Sequence, residues 1–89
     1  MRQSELSQLI LQHVRQRGAE KSVCPSEVAR AIDPQNWRSH MDSVRLVARQ
    51  LAVQGKIRIT QGDQQLDPTR DWLGPIRLRL PQGLVDPLP

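Results

Sequence analysis

The chain has 89 residues, of which 13 are basic and 9 acidic, for a formal net charge of +4. That length admits one domain with one core and excludes a second core. Apolar residues make up 37%, and the aromatics are Trp37 and Trp72 alone, so the core has to be aliphatic. The mild positive charge permits an anionic partner without demanding one.

Cys24 is the sole cysteine, so no internal disulfide can form and a reducing compartment is expected. No targeting segment is evident at the start. The longest aliphatic stretch, Leu9-Ile10-Leu11, is far short of the ~20 apolar residues that span a bilayer. A cytoplasmic protein without a membrane segment is the expectation.

In chain order, residues 4–17 read as a first helix. Leu6, Leu9, Ile10, His13 and Val14 fall on one apolar stripe, and Gly18 suits the helix end. Val23-Cys24 can form a brief extended piece. Pro25 fits the first position of a second helix, with Glu27 in its first turn. That helix runs from Ser26 to Ile32, with Val28, Ala29 and Ile32 inward. Asp33-Pro34 breaks it, and Gln35 to Arg38 forms a tight turn or short helical piece. Ser39, with Asp42 three residues on, resembles a capping box. The third helix then runs from His40 to Gln54, with Met41, Val44, Val47, Ala48 and Leu51 inward and Gly55 at its end.

The remainder alternates with period two, at 56–60 and again at 76–80. Gln61 to Pro75 lies between, so the pair reads as a hairpin with a long tip. Its apolar positions Ile57, Ile59, Ile76, Leu78 and Leu80 are expected to share the helical core. The order predicts a mainly α domain over 1–81 with a small β-hairpin. It is a winged helix-turn-helix, three helices followed by a two-stranded wing. Residues 82–89 are expected to be an extended C-terminal tail.

Three strings carry a resemblance: CPSEVARAIDPQNW at 24–37, VRLVARQLAVQGKIRITQG at 44–62 and GPIRLRLP at 74–81. Together they resemble an uncharacterised bacterial family, a domain of unknown function with a winged-helix-like fold, over residues 6–81. The resemblance implies the fold and no substrate, cofactor or site. Asp42 stands where proline is common in that family, which bears on where the third helix starts.

Arg38, Asp42, Arg45 and Arg49 lie within about 60° of one another on the outer face of the third helix. Arg45 and Arg49 are like charges at i, i+4, which an anion along that face would offset. In a winged helix this face meets the major groove, where arginine grips guanine or phosphate. The first expectation is therefore a nucleic-acid-binding module for duplex DNA. Arg38, Arg45 and Arg49 would be in contact, with Arg77 or Arg79 near the backbone. Arg58, Arg77 and Arg79, at outward hairpin positions, form a second basic patch or simply a polar face that blunts a sheet edge.

The wing points the other way. Asp63, Asp67 and Asp71 stand there against Arg70 alone, and phosphates would repel such a tip. The same segment holds Leu66, Trp72 and Leu73, which either fold back on the domain or form a protein or dimer contact. The alternative function is therefore a protein-interaction or dimerisation module without DNA binding.

Catalysis is not expected. Cys24 before a helix is the one candidate nucleophile, and a small buried residue is the simpler reading. His13 and His40 read as packed histidines. Closed zinc sites need four ligands at recognisable spacing, so no metal is expected, and the isolated glycines build no cofactor loop.

Overall fold

The computed structural model describes residues 2–81, so the tail expected at 82–89 lies outside the described residues. The elements are α1 (Gln3–Arg17), α2 (Pro25–Ile32), a 3-10 turn (Trp37–His40), α3 (Met41–Val53), β1 (Arg58–Gln61), β2 (Gln64–Gln65) and β3 (Arg77–Arg79). Three helices followed by a small antiparallel sheet give the mainly α, winged helix-turn-helix arrangement.

Helix α1 forms because its aliphatic residues recur once per turn. Leu6, Ile10 and Val14 are buried, while Leu9 and His13 reach only the margin of the core. His13 Nδ1 donates to Leu9 O at 2.9 Å, which satisfies the ring within its own helix. Helix α2 begins at Pro25, whose missing N–H would have had no helical partner anyway. Glu27 Oε2 accepts from the Cys24 N–H at 2.8 Å and closes that first turn.

The entry to α3 differs from expectation. Asp33 Oδ1 accepts from the Asn36 N–H at 3.2 Å, so the chain begins to wind early. Ser39 then falls inside the 3-10 turn, where its hydroxyl donates to Asn36 O at 2.7 Å. It no longer faces the open amides of α3, and His40 takes the capping position without a side-chain bond. At the far end Gly55 adopts φ +77°, a left-handed conformation that glycine enters without strain.

The sheet has three strands in the order β2-β1-β3, where a two-stranded wing was expected. Gly62 at φ +60° turns the chain sharply, pairing Gln61 with Gln64 and Thr60 with Gln65. β2 is two exposed glutamines, so it has no apolar alternation to reveal it. Val23 adds a further bridge on the other side, exchanging two 2.8 Å bonds with Leu78. The extended piece between α1 and α2 thus joins the sheet, and the hairpin becomes part of the domain.

The core is aliphatic, as composition requires. Ile10 and Val14 from α1, Val28 from α2, Val44 and Val47 from α3, and Ile59, Ile76 and Leu78 from the hairpin are all essentially inaccessible. Each such side chain contributes about 1.5–3 kcal/mol of burial free energy. Trp37 and Trp72 pack only against its edge. The two aromatics are therefore left for the surface, where both are stacked by arginine.

Candidate functional site

On α3, Val44, Val47, Ala48 and Leu51 are buried, which turns Asp42, Leu46, Arg49 and Val53 outward. In a bare helix-turn-helix this face would be open. Here residues 66–75 fold back across one flank of it. Leu66 starts the return by donating its N–H to Ile59 O at 2.8 Å, and its side chain packs against the core.

Arg49 holds the returning segment. Its Nη1 donates to Pro68 O at 3.0 Å and to Arg70 O at 2.6 Å. Its guanidinium carbon lies 4.3 Å from the centre of the Trp72 ring, close enough for a cation–π contact. Asp71 Oδ1 lies 3.6 Å from Nη2, but that carboxylate is fully exposed, so the pair contributes little. Trp72 Nε1 donates to Asp67 O at 2.9 Å. Gln61 Nε2 donates to Leu73 O at 2.6 Å and Pro75 O at 3.0 Å, tying the segment to β1 as well. Arg45 Nη1 reaches Gly74 O at 3.4 Å.

Two of the three arginines expected to face a ligand on α3 thus point at the protein's own carbonyls. Three large aliphatic side chains also stand on this side of the molecule, among polar neighbours such as Asp42 and Gln50. Leu46 is 48% exposed, Val53 59% and Leu73 91%. Leu46 and Leu73 line an open groove of about 460 Å³ between α3 and the folded segment, with Asp42, Arg45 and Asp71 around it. Leu73 stands free, whereas Leu66 and Trp72 are partly buried. Leu46 was not singled out in the sequence, although one signal was present. Its helical phase, about 40° from Asp42, places it outward.

Arg38 goes elsewhere. Its guanidinium lies 4.4 Å from the centre of the Trp37 ring, and that of Arg30 lies 4.5 Å from the same ring. Arg30 on α2 was not singled out in the sequence, since only the 3-10 turn brings Trp37 beneath it. His40 Nε2 lies 3.5 Å from Asp33 Oδ2 at the same corner.

The sheet gathers the remaining arginines. Arg58 and Arg79 are directly opposed across β1 and β3, and Arg77 opposes Thr60. Arg58 Nε donates to Leu80 O at 3.0 Å and Arg79 Nε to Thr60 Oγ1 at 3.3 Å. Arg77 donates to Ser22, by Nε to Oγ at 2.8 Å and by Nη2 to the carbonyl at 3.2 Å. Arg17 Nη1 donates to that same carbonyl at 2.8 Å, while its Nη2 pairs with Glu27. Partial burial pushes the Glu27 pKa up. The Cys24 N–H and the Arg17 guanidinium outweigh it, with Arg77 adding, and hold the carboxyl below its ordinary range.

Cys24 is half-buried, and its Sγ accepts from the Ser26 hydroxyl at 3.1 Å. Among the described residues no group of three His, Cys, Asp or Glu side chains could hold a metal ion. No helix there is long and apolar enough to cross a membrane.

The family model described as "Protein of unknown function (DUF3253)" matches residues 3–81. The chain belongs to this family. The match covers every described helix and strand of the DUF3253 domain. No curated protein matches the chain.

Proposed function

We propose that this DUF3253 domain is a protein-interaction module, and that its docking surface is the outer face of α3 with the segment folded against it. One observation carries the reading: the folded segment occupies Arg49 and leaves Leu46, Val53 and Leu73 standing in solvent. A surface that reads DNA needs free donors at its centre, and here the centre is aliphatic. Leu46 and Leu73 share one groove whose lining is otherwise largely charged, and an apolar centre with a charged rim marks a protein contact.

The partner is a second copy of the chain. The groove's lining carries both signs, Arg45 and Arg49 with Asp42 and Asp71, beside Leu46 and Leu73. Such a surface meets its own copy across a two-fold axis with opposite charges facing. A standard interface takes about 800 Å² per partner, a modest share of the 6056 Å² accessible here. The role is binding rather than catalysis. A cytoplasmic setting, compatible with the single free thiol of Cys24, belongs to the same reading.

Sedimentation over a wide concentration range tests it. The wild-type chain is expected to dimerise, and Leu46→Ser with Leu73→Ser to weaken the dimer about tenfold or more, a loss of at least ~1.4 kcal/mol. A monomer at every concentration, or a dimer indifferent to the double substitution, overturns it.

Duplex DNA binding through the start of α3 is the second reading. It is favoured by Arg30 and Arg38, both exposed over Trp37 and without an ion-pair partner among the described residues.

A further inference from the structure

We infer that the outer face of the sheet is a binding site for the phosphodiester backbone of nucleic acid, gripped by Arg58, Arg77 and Arg79. This site lies on the sheet rather than on α3, and the inference stands independently of the dimer.

The first ground is an unexplained repulsion. Arg58 and Arg79 are direct cross-strand partners, and like charges in that position destabilise a sheet. A face that merely needed polarity would be served by threonine or by a pair of opposite charges. Among the described residues no carboxylate lies within ion-pair distance of Arg58, Arg77 or Arg79. Glu27, the acid whose carboxylate Arg77 helps hold ionised, is already committed to Arg17 and to the Cys24 N–H. Arg17 and Arg77 even converge on one acceptor, Ser22 O.

The second ground is preorganisation. Arg58 and Arg79 use Nε on the protein, on Leu80 O and Thr60 Oγ1. Those bonds fix each guanidinium, and among the described residues nothing else takes the donors of its two terminal nitrogens. Two N–H donors in a fixed fork match two phosphate oxygens.

The layout selects the ligand. Arg77 and Arg79 are spaced about 7 Å along one strand, and Arg58 stands roughly 5 Å away across the ladder. The cations form a short row on an open sheet. The best-formed grooves among the described residues lie elsewhere, one beside α3 and one along α1, and none of these three arginines lines them. A small phosphorylated molecule needs a concave site, whereas a backbone needs only a row of cations. Trp37 and Trp72 are both stacked by arginines on α2, the 3-10 turn and α3, which leaves this face without a ring to stack bases. It therefore grips phosphates without reading sequence.

The test titrates a labelled random-sequence duplex at several salt concentrations. Arg58→Gln with Arg79→Gln is compared with Arg2→Gln with Arg15→Gln, exposed positions at the start of α1 and on it that remove the same charge elsewhere. The wild-type chain is expected to bind with a linear dependence on log salt. The sheet pair should lose about tenfold or more in affinity, and its salt slope should fall by about two. The matched pair should stay within about twofold. Arg58→Lys with Arg79→Lys keeps the charge but loses the fixed fork, so it should keep the salt slope and bind between the wild-type chain and the sheet glutamine pair. Unchanged thermal melts of all variants separate contact from misfolding. Absence of wild-type binding at low salt overturns the inference, and so does an equal loss in both glutamine pairs. A loss confined to a third pair, Arg30→Gln with Arg38→Gln, places the site over Trp37 at the corner of α2 and the 3-10 turn and overturns the inference. Inorganic phosphate that displaces the duplex at constant ionic strength makes this a small-anion site and overturns the backbone assignment.

Discussion

Arg49 on α3 and Arg58 on β1 carry the same charge at similar depth, and they end in different company. Arg49 meets two carbonyls, a tryptophan ring and an aspartate, all from one returning segment. Arg58 meets one carbonyl by Nε and faces another arginine across the ladder. The first guanidinium is a fastener and the second is a donor held in place. On the face that a winged helix ordinarily offers to DNA the donors of Arg49 are therefore occupied, and on the sheet surface Arg58 and Arg79 meet no carboxylate among the described residues. Counting arginines on a helical wheel cannot separate these cases. What separates them is whether a strand of chain lies within reach to supply acceptors.

The comparison can be broken most severely through what both regions share. Leu78, in the middle of β3, is fully buried and is bonded through its backbone to Val23. Leu78→Ala is expected to remove about 2–5 kcal/mol, read as a lower midpoint in denaturant unfolding. Both surfaces should fail together. Retention of full stability would mean that the sheet does not share the core.

A smaller and more selective effect comes from Arg49→Ala. The substitution deletes two charge-assisted bonds and a cation–π contact, worth about 1–2 kcal/mol together at this partly exposed site. Trp72 emission should shift to the red as its ring loses its cover, with helix content unchanged. Arg58→Ala should leave Trp72 emission where it is. Equal responses would show that the folded segment is not fastened by Arg49.

The smallest effect is the pH dependence at Glu27. Its pKa is depressed in the folded chain. The associated stability is present above the unfolded carboxylate range and is lost as pH falls through the folded value. Glu27→Gln should flatten that acid limb in thermal melts taken across the carboxylate range. An unchanged profile would mean that Arg17 does not hold the carboxylate.

The aliphatic stripes at Leu6, Ile10 and Val14, at Val44, Val47 and Leu51, and at Ile57, Ile59, Ile76 and Leu78 were legible in the sequence. Helical and strand periods express themselves within a few neighbouring residues. Pro25 and Gly55 marked helix ends for the same local reason. The family resemblance agrees with that architecture, and the matched family covers it. The Gln64–Gln65 strand was not legible, because two exposed glutamines carry no apolar pattern. Nor was the fate of the arginines. A guanidinium at position 49 becomes a fastener only because Pro68 O and Arg70 O arrive from about twenty residues away. Those at 58 and 79 become neighbours only because the ladder sets their register. Local periodicity chooses which side of an element faces the core. Where a long polar side chain finds its acceptors is settled by distant backbone, and that is why the surfaces had to be read from the folded chain.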